Sequence, residues 1–146
     1  MNSSPKPGVG IGVMILKDHK VLLGQRHFGP SKADSEPHGE GAWTILEFGE
    51  SFETAAYREV WEETGLKINQ EKIKLVSLCN DRVPDAHFIT IGFACEAFDG
   101  DPQVMEPDEI VSWQWFPLDN LPQPIFFPSQ EIIDNYQAGK IYSQNL

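Results

Sequence analysis

The sequence is poor in cysteine and lacks a long apolar run. The first feature argues against a disulfide-linked or zinc-binding protein, and the second argues against a membrane protein. Its two cysteines, Cys79 and Cys95, stand in apolar stretches without Cys-x-x-Cys spacing. This pattern favours buried free thiols over a disulfide or a zinc site. The sequence has no run of about 18 apolar residues and no recognisable signal or targeting segment. We therefore expect a cytoplasmic protein that does not bind membranes.

Basic residues are also scarce. Eleven lysines and arginines stand against 22 aspartates and glutamates, which gives a formal net charge of −11. Proteins that bind nucleic acid through its phosphates present a basic face, so this balance argues against a nucleic-acid partner. With 146 residues, 40% of them hydrophobic, the chain is long enough for one domain with a packed core. We predict a single domain over residues 1–146, with a loose leader at 1–7.

The acidic residues concentrate in one stretch, residues 46–66. Six glutamates fall within seventeen positions: Glu47, Glu50, Glu53, Glu59, Glu62 and Glu63. If the later part is helical, the last three stand at i, i+3 and i+4, on one face of the helix. Carboxylates so placed repel one another unless a hard divalent cation with oxygen ligands, such as Mg²⁺ or Mn²⁺, neutralises them. A solvated acidic face is the alternative.

Capping signals predict where this helix begins and ends. Ser51 is a good N-cap residue, and Gly65 follows the last turn as a C′ residue. The predicted apolar side repeats every four residues: Phe52, Ala56 and Val60. The sequence therefore predicts an amphipathic helix that carries the acidic cluster.

The order of residues in this stretch resembles the Nudix box, G-x5-E-x7-R-E-U-x-E-E-x-G-U with U aliphatic, and every specified position from Glu50 to Leu66 matches. The resemblance implies a Nudix α/β/α sandwich with a central mixed sheet. It also implies hydrolysis of a nucleoside diphosphate derivative by metal-activated water, with Mg²⁺ as cofactor and Mn²⁺ as a substitute. It assigns the following roles: Glu50, Glu59, Glu62 and Glu63 to the metal, and Arg58, Glu59 and Glu62 to catalysis.

The front of the box departs from the family pattern. Only three residues separate Trp43 from Glu47, so about four residues of the usual loop, including Pro-Gly-Gly, are missing, and Thr44 falls where the box has glycine. A segment missing from the sequence as determined, a deletion and a naturally short turn would each explain this, and the intact flanks favour the first. If the loop is truly absent, a catalytically impaired nucleotide-binding or protein-interaction module is the alternative.

Short runs outside the box resemble the MutT-type branch of the family: GVGIGVMIL, VLLGQR, HGEGAW, HFITI, MEPDE and SWQWF. That branch hydrolyses nucleoside triphosphates to the monophosphate and pyrophosphate. The resemblance suggests Arg26 for the phosphates, and Phe126 and Phe127 for a base pocket. Glu106 and Glu109 are loop candidates for the general base. A surface arginine, a hydrophobic plug and a solvated turn are the respective alternatives.

Two further expectations concern substrate and partners. An ADP-ribose or nucleotide-sugar pyrophosphatase is the alternative enzyme, and its products would differ. The expected partner is a small-molecule nucleotide, and the resemblance allows a homodimer.

The remaining pattern predicts strands separated by loops, with a second helix near the end. Predicted strands cover residues 9–16, 21–23, 72–80, 87–97 and 110–116, and a polar loop covers 27–41. The closing helix is predicted from Ser129 as its N-cap to Gln137, with Gly139 as its stop. Strands on both sides of a central helix indicate an α/β sandwich with a mixed sheet.

Overall fold

A computed structural model describes residues 5–26 and 39–145 of the chain. The strands are β1 (Gly8–Lys17), β2 (Lys20–Arg26), β3 (Gly39–Glu40), β4 (Ala42–Ile45), β5 (Lys67–Ile68), β6 (Lys74–Val83), β7 (Ala86–Cys95), β8 (Phe98–Asp99), β9 (Ile110–Pro117) and β10 (Tyr142–Asn145). The helices are α1 (Phe52–Thr64) and α2 (Phe127–Ala138), with a short 3₁₀ helix at Gln70–Lys72.

Eight of the strands form one mixed sheet. Its main order is β10-β6-β7-β1-β2-β3, with β4 paired to β1 and β9 paired to β2. The β1–β7 and β6–β10 pairs are parallel, and the other pairs in this sheet are antiparallel. β5 and β8 form a separate two-stranded ribbon. The predicted mixed sheet is therefore confirmed.

Each face of β1 supplies a different hydrophobic core, because successive side chains of a strand point to opposite faces. Ile11, Val13 and Ile15 belong to the core cluster that contains Ala55, Ala56 and Val60 of α1. Met14 and Leu16 belong to a second cluster that contains Ile132 and Ile133 of α2. One helix thus covers each face, which confirms the predicted α/β/α sandwich.

The structure corrects three local predictions. Phe52 is 42% exposed, so it does not belong to the buried face of α1, whereas Ala56 and Val60 are buried as predicted. The other buried residues of the helix are Ala55, Glu59, Glu63 and Thr64. α2 begins at Phe127 rather than after Ser129, and its N-cap position, Phe126, makes no side-chain cap hydrogen bond. Ser129 is buried and its Oγ accepts a hydrogen bond from the Gly41 N–H at 3.1 Å.

Other expectations fall partly outside the described residues. Residues 1–4 of the leader and 27–38 of the predicted loop lie there, whereas Gly39–Glu40 at the end of that loop pairs with β2 as a strand. Cys79 and Cys95 are buried free thiols, as predicted. Within the described residues, neither helix has the length and hydrophobicity needed to cross a bilayer.

Candidate active site

The predicted ends of α1 match the structure, and they fix the angular positions of its glutamates. Ser51 has an extended backbone, and its Oγ accepts a hydrogen bond from the Thr54 N–H at 3.0 Å. Gly65 has a φ of 74°, a conformation that favours glycine, and its N–H donates to the Trp61 carbonyl at 3.0 Å. Because the helix is regular between these caps, residues 59, 62 and 63 share one face.

Two of these three carboxylates are buried. Glu59 and Glu63 are each 8% exposed, whereas the side chain of Glu62 is 51% exposed. The carboxyl groups of Glu59 and Glu63 interact within hydrogen-bond reach of each other. The cluster therefore does not splay into solvent, and two acidic groups share a desolvated position on one side of α1.

The environment of Glu59 disfavours its charged form. Burial raises the pKa of the Glu59 carboxyl above its usual range, and the negative charge of Glu62 raises it further. Hydrogen bonds from Glu63 and Thr44 and the positive charge of Arg58 act in the opposite direction. Buried carboxylates of this kind are stabilised by a proton or a metal cation, and an all-oxygen donor set suits a hard divalent ion such as Mg²⁺.

Arg58 connects the acidic face of α1 to the turn that precedes it. Its Nε and Nη2 donate to the two oxygens of Glu50 at 2.8 and 3.0 Å, and Nη2 also reaches the Ile45 carbonyl at 3.3 Å. Its Nη1 lies 3.8 Å from a Glu59 oxygen and 3.7 Å from a Glu62 oxygen. The hydrogen bonds from Arg58 lower the pKa of the Glu50 carboxyl, and those to Glu50 raise the pKa of the guanidinium.

The short connection from β4 to α1 closes through its own hydrogen bonds. The Leu46 N–H donates to the Val9 carbonyl at 2.9 Å, and the Glu50 N–H donates to the Glu47 carbonyl at 3.0 Å. The Glu47 N–H donates to Glu50 Oε1 at 3.1 Å. Gly49 has a φ of 80°, so glycine suits the turn there. The chain therefore joins β4 to the helix without the longer glycine loop.

Thr44 is a site residue that the sequence did not predict. It stands at the box position normally held by glycine, and its hydroxyl lowers the pKa of the neighbouring Glu59 carboxyl. Its Oγ1 also lies 3.5 Å from Arg58 Nη1. The mismatch with the box marked this position in the sequence, but only the contact with Arg58 in the folded chain places the hydroxyl beside the acidic cluster.

Trp113 is a second such residue. Its indole Nε1 donates to the backbone carbonyl of Glu63 at 3.2 Å, so it holds the last turn of α1 from β9. Its ring lies over Gly24 of β2, where an added Cβ would meet the ring at 3.0 Å. No local signal in the sequence indicates this contact, because the two residues are 50 positions apart.

The structure brings Glu106 towards the cluster. Burial raises the pKa of the Glu106 carboxyl, and the charges of Glu109, then Glu59 and Glu62, raise it further. The loop that carries it is closed by hydrogen bonds from the Glu109 and Ile110 N–H groups to the Glu106 carbonyl, at 3.0 and 2.9 Å. The Glu106 carboxyl, although on a separate loop, therefore interacts electrostatically with Glu59 and Glu62 of α1.

The remaining predicted residues lie at the end of β2, which carries Arg26, and at the start of α2, which carries Phe126 and Phe127. Arg26 is exposed at the end of β2, opposite Ile110 of β9. Phe126 makes an edge-to-face contact with Trp43, with ring centroids 6.0 Å apart and planes at 82°. Phe127, the first residue of α2, is 41% exposed. Phe126 is thereby tied to β4, the strand that carries Thr44, whereas no contact between Phe127 and the acidic cluster is seen among the described residues.

Comparison with known proteins gives a consistent result. The family model of the NUDIX domain matches residues 6–136. The ADP-ribose pyrophosphatase of Methanocaldococcus jannaschii is 33% identical over 134 residues, which cover 92% of this chain and 75% of that protein.

A solved structure and a second curated relative are also similar to this chain. A crystal structure of a MutT NUDIX hydrolase from Burkholderia pseudomallei superposes with a TM-score of 0.77 at 27% identity, over 89% of this chain and 98% of that one. The NAD-capped RNA hydrolase NudC of Deinococcus radiodurans is 34% identical over 96 residues, which are 64% of this chain and 32% of that protein.

Proposed function

This chain belongs to the Nudix hydrolase family and is a pyrophosphohydrolase, and we propose that it cleaves nucleoside triphosphates to the monophosphate and pyrophosphate. The observation that carries the metal-dependent part of the proposal is the buried pair Glu59 and Glu63 beside Glu62 on α1. Support for the triphosphate substrate comes from the likeness to a MutT NUDIX hydrolase and from the MutT-type runs outside the box.

The residues at the site fit a divalent cation. Glu59, Glu62 and Glu63 would hold Mg²⁺ or Mn²⁺, because they offer adjacent oxygen ligands whose mutual repulsion a cation relieves. When bound, the ion neutralises phosphate charge and acidifies a water that attacks phosphorus. Thr44 provides a neutral oxygen next to Glu59, at the position where the family has glycine.

Arg58 and Glu50 act as a positioning pair. Both Glu50 oxygens accept hydrogen bonds from Arg58, so this carboxylate is committed to the guanidinium rather than to the open side of the cluster. Arg58 in turn lies within 4 Å of both Glu59 and Glu62. We assign to this pair the orientation of the metal-binding carboxylates, a contribution that commonly amounts to about 10–100-fold in activity.

Substrate contacts are assigned from the elements that surround the cluster. Glu106 would take or relay the proton of the attacking water, since its pKa is already raised by burial and by neighbouring carboxylates. Arg26 would contact the phosphates. Phe126 and Trp43 form an aromatic pair suited to one face of a base, with the half-exposed ring of Phe127 beside it in sequence.

The relative from M. jannaschii favours a second substrate, ADP-ribose. Both reactions use the same acidic cluster, and they differ in products. A triphosphate yields pyrophosphate, whereas ADP-ribose yields AMP and ribose phosphate. A panel of nucleoside triphosphates, ADP-ribose, a nucleotide sugar and an NAD-capped RNA oligonucleotide, each with and without Mg²⁺, separates these cases by product. Pyrophosphate release from triphosphates as the fastest reaction is the expected result.

Substitution of Glu63 tests the metal assignment. Glu63→Gln keeps the size of the side chain and removes its charge, so we expect a loss of at least about 10²-fold in kcat/KM, the range seen when one aimed electrostatic contact is removed. Glu53→Gln is the matched control, because Glu53 lies in the first turn of the same helix and is exposed. Equal turnover in the two variants would contradict the assignment.

The same panel decides the catalytically impaired alternative. If the intact chain hydrolyses none of the nucleotides with Mg²⁺ or Mn²⁺ but still binds one of them by calorimetry, the short β4–α1 turn has cost the chain its activity. In that case the binding-module interpretation replaces the enzyme.

A further inference from the structure

A second cluster of polar side chains lies under α2, on the opposite face of the sheet from α1. Ser77, Cys79 and Asp81 alternate along β6, so they point to the same face. Glu131 and Asn135, one turn apart on α2, cover this face, and the Asn135 Nδ2 donates to Ser77 Oγ at 2.9 Å. The box and the proposed reaction use none of these side chains.

Neighbouring strands enclose the cluster from both sides. Ser143 of β10 and Thr90 of β7 are both paired in register with Cys79. The Cys79 Sγ lies 3.1 Å from Ser143 Oγ and 3.4 Å from Ser77 Oγ. Cys79 is 0% exposed, Asp81 and Thr90 are 1% exposed, and Glu131 is half-buried.

Three of these residues bring ligand atoms together. One thiol sulfur and one carboxylate oxygen each from Asp81 and Glu131 all lie within 4.8 Å of one another. In a tetrahedral site with metal–ligand bonds of about 2.0–2.3 Å, neighbouring ligand atoms lie about 3.3–3.8 Å apart, roughly 1 Å closer than this limit. Small side-chain rotations would therefore suffice to place all three around one ion.

The hydrogen bonds of this cluster do not neutralise its acids. Asp81 Oδ1, Glu131 Oε1 and Thr90 Oγ1 are buried and have no hydrogen-bond partner among the described residues. No ion pair within the described part of the chain reaches Asp81 or Glu131. Buried charges in proteins are normally paired or bound to a metal, so this site lacks a positive charge.

We propose that Cys79, Asp81 and Glu131 form a second metal site, suited to Zn²⁺ and separate from the catalytic cluster on α1. A thiolate selects a softer ion than Mg²⁺, and two carboxylates with one thiolate match the ligands that Zn²⁺ accepts. Three protein ligands leave one of the four positions to water or to the nearby Ser143 hydroxyl. Binding displaces to solvent the thiol proton of Cys79 and the proton that Glu131 holds near neutral pH, since the metal takes the thiolate and carboxylate forms.

The position of the site indicates a structural role. Glu131 belongs to α2, Cys79 and Asp81 to β6, and Ser143 to the last strand, so one ion would link three elements. Without the ion, burial and the neighbouring Asp81 raise the pKa of Glu131 to about 8. A proton shared between Asp81 and Glu131 would also relieve the charge, and it is the competing outcome of the test.

The test uses the full chain with the catalytic cluster disabled. The double variant Glu59→Gln/Glu63→Gln removes the two buried carboxylates of the box, and metal-free protein is then titrated with Zn²⁺ and with Co²⁺. We expect one ion per chain, a thiolate-to-metal charge-transfer absorption with Co²⁺, and a rise in Tm with Zn²⁺. Adding Cys79→Ser should abolish the absorption and weaken Zn²⁺ binding by at least about 10–100-fold.

Cys95→Ser is the matched control, because Cys95 is the other buried thiol and lies outside the cluster. It should retain the absorption and the affinity. If Cys79→Ser fails to fold, Glu131→Gln decides, because glutamine keeps the size of this half-buried side chain and removes its charge. That variant should be at least as stable as the parent without metal and should lose the Zn²⁺-dependent rise in Tm. Unchanged Zn²⁺ binding in either variant, or no binding in the parent, overturns the proposal, and the latter supports the shared proton.

Discussion

Gly10 allows the ring of Trp43 to lie flat against β1. A Cβ added at Gly10 would stand 2.4 Å from Cζ2, 2.7 Å from Cε2 and 2.9 Å from Nε1 of that ring. Such distances require the rigid indole to move. Trp43 adjoins Thr44 on β4 and packs against Phe126, so its displacement would disturb the strand that leads into the catalytic cluster.

Gly8 provides a matched control on the same strand and the same face. An added Cβ at Gly8 would meet only Phe88, at 3.8 Å, which is an ordinary contact. In a strand, replacing glycine by alanine gains about 0.4–1 kcal/mol where the backbone permits it. Gly8→Ala should show that gain. Gly10→Ala should carry an additional overpacking cost of about 1–3 kcal/mol, so the difference between the two variants is this cost.

Chemical denaturation measures the difference directly. With similar m-values, the midpoint of Gly10→Ala should lie below that of Gly8→Ala by the equivalent of about 1–3 kcal/mol. This corresponds to roughly 2–12 °C in Tm for a domain of this size. The cause is tested by a double-mutant cycle with Trp43→Phe, because phenylalanine lacks the far edge of the indole. In that background the penalty at Gly10 should shrink, and equal stability of the two alanine variants would refute the reasoning.

Three further substitutions probe the site and its supports. Arg58→Lys cannot reproduce the two-pronged contact with Glu50, so kcat/KM should fall about 10–100-fold with the fold retained by circular dichroism; full activity would contradict the positioning role. Trp113→Phe removes the hydrogen bond to the Glu63 carbonyl and should cost about 0.5–1.5 kcal/mol in the free energy of unfolding, whereas no change would show that the contact is neutral. Burial raises the pKa of the Cys95 thiol, so the native state keeps its proton while the unfolded thiol ionises above about pH 8.5. The free energy of unfolding should therefore fall as pH rises through that value, and Cys95→Ala should make the fall shallower; an identical pH profile would contradict this.

The ends of α1 were predictable because their signals are local. Ser51 and Gly65 act on backbone groups within three or four residues, so their effect does not depend on the rest of the fold. The shared face of residues 59, 62 and 63 follows from helix geometry alone. The long strands could also be placed from their local runs of apolar residues, with boundaries shifted by a few residues.

Burial and cap identity were not predictable, because they depend on which elements pack together. Phe52 fits the apolar repeat of α1 but is partly exposed. Glu59 and Glu63 are charged residues, which are usually exposed, but both are buried. Ser129 has the composition of an N-cap, yet its hydroxyl is engaged by Gly41 from the other end of the chain. Similarly, the polar cluster around Cys79 on β6 becomes visible only when α2 packs over that strand and β10 pairs beside it.

The charges on the acidic face of α1 also affect whether a nucleotide can bind before the metal in the proposed reaction. Arg58 contacts the acidic face of α1 through Glu59 and Glu62, and its guanidinium is held by Glu50. At an effective dielectric constant of about 20, two unit charges 4 Å apart interact with about 4 kcal/mol. An anionic phosphate chain placed beside Glu59 and Glu62 without a further cation would meet repulsion of that order from each carboxylate. We therefore expect Mg²⁺ to strengthen binding of a non-hydrolysable nucleotide as well as to support turnover, and equal affinity with and without the ion would contradict this reasoning.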